Sequence, residues 1–89
     1  MITAQTIAEW MLEELKREKY LYQEVVVYEI AERFGEKFTY DNENGNLAID
    51  KSVLREFRRL TENIVVWERG SRLWRFREDY DNPDKRQAE

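Results

Sequence analysis

Lys51, Arg55 and Arg58 follow one another at intervals of four and three residues, with Arg59 beside them. Arg69 and Arg72 flank Gly70-Ser71 shortly afterwards. On a helix this spacing lays the first three cations along one face, which suits the gripping of phosphate oxygens. Arginine adds a planar fork that can bond a guanine edge or a phosphate at two points. The same residues also fit a plainer description, a solvated helix face where Arg58 and Glu62 pair at i,i+4 for about 0.3 kcal/mol. Glu62 and Glu68 would in addition repel phosphate.

Residue types exclude most other chemistry. With no histidine and no cysteine, the chain has no Ser-His or Cys-His nucleophile, no His/Cys zinc site and no disulfide. Gly35, Gly45 and Gly70 are isolated, so no glycine-rich phosphate loop is present. The acidic pairs Glu13-Glu14 and Glu78-Asp79 are neighbours in sequence and do not converge on one point of a helix. Asp41-Asn42-Glu43-Asn44-Gly45 faintly resembles a calcium loop. Its twelfth position is Ser52 where a carboxylate is needed, and an Asn-Gly turn accounts for it better. No catalytic residue, cofactor or metal is expected.

Charge is segregated along the 89 residues, whose net value is −4. Residues 1–49 balance to −5, residues 50–77 to +4 and the last twelve to −3. The basic middle says more about a partner than the total does. No apolar run nears the roughly 20 residues that span a bilayer. No basic segment followed by an apolar stretch opens the chain, so a soluble, cytoplasmic protein without a membrane partner is expected.

The cations need a scaffold, and the apolar spacing outlines one. Ala4, Ile7, Ala8, Met11, Leu12 and Leu15 make an amphipathic helix over about 3–18, capped by Thr3 or by Thr6 with Glu9. Trp10 lies at the edge of that stripe and is a candidate protein-contact residue. Tyr20-Leu21-Tyr22 reads as a short strand or link. Val25-Val26-Val27 favours a strand by propensity. Ile30, Ala31, Phe34 and a terminal Gly35 nevertheless point to a helix over 23–34. Phe38–Tyr40 and Leu47–Ile49 could pair across the Asn-Gly turn or simply fold onto the core.

Asp50 then caps a third helix, whose inward face is Val53, Leu54, Phe57 and Leu60. Ile64–Trp67 and Leu73–Phe76 form a hairpin about Gly70-Ser71, with glycine placed for a type II′ turn. That register sets Trp67 against Trp74 and Val65 against Phe76, leaving Arg75 and Arg77 on the other side. The Trp ladder could stack bases, but in so small a domain it suits the core. Residues 79–89 read as a polar, disordered tail following a domain of residues 1–78.

This order, helix, short strand, two helices and hairpin, is that of an α+β winged helix-turn-helix-like domain with three helices and a C-terminal two-stranded β-hairpin. The connector before the third helix is longer than the usual turn. Trp67-Glu68-Arg69-Gly70-Ser71-Arg72-Leu73-Trp74-Arg75, with Asn44–Ile49 and Val53–Phe57, resembles a family of small bacterial proteins that form a domain of unknown function. The likeness extends to Trp10-Met11 and to the Asp81–Gln87 tail. It implies a compact winged-helix-like fold and transfers no functional residue. Two expectations follow for function. One is duplex DNA binding by Lys51, Arg55, Arg58 and Arg59, with Arg69 and Arg72 on the wing. The other is a protein-interaction module that uses Trp10 and the acidic first half.

Overall fold

A computed structural model describes residues 1–88 and gives an α+β domain. Helix α1 spans Ala4–Glu18. Thr3 is its cap, the side-chain oxygen accepting from the Thr6 N–H at 3.2 Å. Ile7, Ala8, Met11 and Leu15, one helical stripe, are wholly buried. Each large side chain of that set contributes roughly 1.5–3 kcal/mol of burial.

The helix stops because Lys19 turns left-handed, φ 75°, and returns its N–H to Leu15 O at 2.7 Å. A Cβ is disfavoured in that conformation, and Lys19 is solvent-exposed. Lys19→Gly is therefore expected to raise stability by about 0.5–1 kcal/mol. A denaturation midpoint that stays put or falls would show that the cap carries no strain.

Strand β1 (Tyr20–Tyr22) leads directly into α2 (Gln23–Phe34). The valine run is helical, with Val26, Val27 and Ile30 buried while Val25 faces out. Burial of one helical face has overridden strand propensity. Gly35, at φ 89°, ends the helix. A 3-10 turn over Glu36–Phe38 follows, and then β2 (Thr39–Asp41) pairs antiparallel with β3 (Leu47–Ile49). The turn between them is held by Asn42, whose Oδ1 accepts from the N–H groups of Asn44 and Asn46 at 2.9 and 3.0 Å, with Gly45 at φ 79°.

Asp50 caps α3 (Lys51–Thr61), bonded by the N–H and the hydroxyl of Ser52. These bonds, the hydroxyl's above all, hold its carboxyl below the usual range. Val53, Phe57 and Thr61 are buried, and α3 packs chiefly on α1. Strands β4 (Val65–Glu68) and β5 (Leu73–Phe76) pair with Trp67 opposite Trp74 and Val65 opposite Phe76. Two features depart from the expected hairpin. Its loop is four residues, Arg69–Arg72, with Arg72 left-handed at φ 55°, in place of a two-residue type II′ turn. And the pair is no free-standing ribbon but the centre of a sheet ordered β1-β5-β4-β6.

The last strand, β6 (Gln87–Ala88), runs parallel to β4. Residues 79–88, in the run expected to be disordered, are thus tied to the domain, and Glu89 lies outside the described residues. Arg77 donates to the carbonyls of Asn63, Asn82 and Lys85 at 3.2, 2.8 and 2.8 Å. Arg75 grips both oxygens of Asp81 at 2.8 and 2.9 Å. Polar composition signalled solvation, but these two guanidiniums give the segment internal partners.

Leu21, Val65, Trp74 and Phe76 face the helices and complete the main core. On the sheet's other face lie Val66, Leu73 and Arg75, all buried. Arg75 is also bonded to Glu68 at 2.9 Å and lies 5.5 Å from the centre of the Tyr80 ring. No helix among the described residues is long and apolar enough to cross a membrane.

Candidate functional site

Helix α3 turns Val53 and Phe57 inward, so Lys51, Arg55, Arg58 and Arg59 are carried outward and are exposed. Their electrostatic states differ. Arg59 is engaged by Glu56, through Nε at 3.1 Å and Nη2 at 2.8 Å. Among the described residues, no carboxylate lies within ion-pair distance of Lys51, Arg55 or Arg58. The expected Arg58–Glu62 pair does not form. Glu62 stays on the same exposed face and lowers its positive potential.

At the hairpin tip Arg69 is exposed, and among the described residues it has no carboxylate partner. Arg72 reaches Glu24 at 3.3 Å, across the start of α2. Among the described residues, four of the six cations singled out by sequence are therefore unpaired and two sit in surface pairs. Exposed pairs of this kind contribute about 0–1 kcal/mol and exchange readily.

Two cations outside that set join it. Lys85 and Arg86 come back along α3, where Arg86 Nη2 donates to Arg58 O at 3.4 Å. Burial, and then the charge of Arg58, push the Arg86 guanidinium below its usual range. Together with Arg58 they rim a groove of about 650 Å³ between α3 and the sheet. Leu54, Phe57, Trp67 and Trp74 supply its apolar surface. Trp67 and Trp74 are half-buried, with ring centres 4.8 Å apart, and Phe57 meets Trp74 edge-on at 5.3 Å. The signal for the two tail cations was the adjacent Lys85-Arg86 itself, hidden within a polar run.

Trp10 lies at the edge of the buried α1 stripe and is partly exposed. It is half-buried against the core, edge-on to Phe34 at 5.5 Å, with the Arg33 guanidinium 5.5 Å from its ring centre. Tyr20, Tyr22, Val25 and Tyr28 are large side chains each more than half exposed. Tyr20 and Tyr22 lie on β1, an edge strand, and Val25 and Tyr28 on the first half of α2. Among the described residues no three acidic side chains gather to hold a metal ion.

No curated protein and no solved structure shows significant similarity to the chain. A family model does match, over residues 3–76, which takes in all three helices and the strands through β5 but stops short of Lys85 and Arg86. The chain belongs to that family, described as a family of unknown function, DUF6953.

Proposed function

We propose that this domain is a non-catalytic, winged-helix-type module that holds duplex DNA against α3. The observation that carries this reading is the row Lys51, Arg55 and Arg58, three exposed cations on one helix face, unpaired among the described residues. Such cations give up no intramolecular partner on meeting phosphate, so the gain from counterion release is undiminished. Chain order supports the reading. A short strand after the first helix pairs with the second strand of the terminal hairpin, beside three helices, with β2–β3 inserted before the third. Arg69 extends the contact at the tip. Arg59 and Arg72 join once they leave Glu56 and Glu24.

A labelled random-sequence duplex, followed by anisotropy at rising salt, tests this. With three or four phosphates neutralised, the log–log slope of affinity against salt is expected near −3, from about −0.9 per phosphate. Arg55→Glu and Arg58→Glu should each reduce low-salt affinity at least tenfold while circular dichroism stays unchanged. Absence of binding at low salt, or binding indifferent to both variants, rejects the assignment. The exposed Tyr20, Tyr22, Val25 and Tyr28 favour the second reading, a protein-interaction module working through the β1 edge.

A further inference from the structure

We propose that the groove between α3 and the Trp67–Trp74 face is a binding site for a small planar aromatic anion, a ring system bearing a carboxylate or phosphate. Its volume, about 650 Å³, lies in the range of small-molecule sites. The apolar surface is chiefly aromatic. Trp67 and Trp74 are tilted 54° to one another and half-exposed, while Phe57 and Leu54 close the helix side. Partly exposed indoles favour a flat partner that can stack or pack edge-on against them.

Charge fixes the rest of the ligand class. Arg58, Lys85 and Arg86 converge on the rim, and among the described residues none has a carboxylate within ion-pair distance. Arg59, Arg72 and Arg75, by contrast, each have a carboxylate within ion-pair distance. Arg86 is only half-exposed, and the opposing charge of Arg58 acts on it more strongly than the supporting charge of Glu62. An anion in the groove would relieve that repulsion and accept charge-assisted hydrogen bonds from a guanidinium fork. A neutral ring would satisfy the indoles and leave the rim as it is. The groove shares Arg58 with the proposed duplex face but needs neither Lys51 nor Arg55.

The test uses 2-naphthoate and its neutral isostere 2-naphthamide, each titrated into the full ¹⁵N-labelled chain. Three indole N–H signals report the three tryptophans. Those of Trp67 and Trp74 should move saturably with naphthoate, while that of Trp10, packed against Phe34, stays still. A probe this small is expected to bind with a Kd of about 1 mM. Naphthamide should bind about tenfold more weakly, and Arg86→Gln and Lys85→Gln should each weaken naphthoate several-fold. Equal binding of acid and amide, an unchanged affinity in both variants, or shifts centred on Trp10 would overturn the proposal. The comparison of the two probes needs only the wild-type chain, so a poorly folded variant leaves the result decisive.

Discussion

Phe57→Ala is expected to remove about 3–4 kcal/mol of folding free energy. Phe57 is 2% exposed and sits at the middle of the inward face of α3, between Val53 and Thr61. Its ring also carries the edge-on contact with Trp74, so it joins the helix to the sheet as well as filling space. Loss of a buried phenyl ring generally costs about 3–5 kcal/mol, and the lower part of that range applies here. The space it leaves opens on the groove it already lines, where water can enter and Trp74 can shift. A chain of 89 residues has roughly 5–13 kcal/mol of total stability, so the variant would retain a small margin. Its melting temperature should drop by about 15–25 °C. Phe57→Leu, which keeps most of the volume, should cost about 1 kcal/mol. If urea unfolding finds the alanine variant within 1 kcal/mol of wild type, α3 is not anchored through this ring.

Arg75→Ala is the second large effect, expected at about 3 kcal/mol. The Arg75 side chain is 9% exposed, and its guanidinium is shared between Glu68 at 2.9 Å and Asp81 at 2.8 Å. Removing it leaves two carboxylates near one another without a cation and unfastens the segment that covers the outer face of the sheet. The same contact makes stability depend on acid. Bonded first by Arg75 and then by the Glu78 N–H, the Asp81 carboxyl is held down to about 2 from an ordinary 3.8. The unfolded chain therefore binds more protons between those values. The stabilisation is complete above pH 4 and is lost as pH falls through 2. Glu68 is lowered too, by Arg75 first and then Ser71, and adds to the same acid limb. Urea midpoints at pH 7, 4, 3 and 2 should fall in wild type and fall less in Asp81→Asn. A parallel decline in both proteins would assign the acid limb to other groups.

Much of this architecture could be read from local pattern. Helix α2 and the register of β4 with β5 follow from apolar spacing and from Gly35, because each depends on residues close in sequence. What escaped depends on distant partners. Gly70 suggested a tight turn, but Ser71 bonds Glu68 at 2.9 Å and Arg72 O accepts from the Gln23 N–H at 3.1 Å. Those ties widen the loop and leave Arg72, not the glycine, as a left-handed residue. The tail was read from composition, which counts polar residues as wet and cannot see that Arg75 and Arg77 point their donors at it. The spacing of Lys51, Arg55 and Arg58 on one helix face was legible, but their lack of partners among the described residues was not, because Glu62 stands at i,i+4 from Arg58. The groove was not, since its rim joins Arg58 to residues 27 and 28 positions later.

Strand β6 also bears on how the domain keeps to itself. Strand β4 is apolar on both faces through Val65, Val66 and Trp67, which makes its outer edge a template for pairing with another chain. That edge is occupied: Trp67 N donates to Arg86 O and Arg69 N to Ala88 O, each at 2.8 Å. The residues leading to it include the exposed Asp79 and Asp84, which add like charge against a second copy approaching there. The segment that completes the groove is thus also a guard against aggregation, and a ligand that drew Lys85 and Arg86 inward would tighten it.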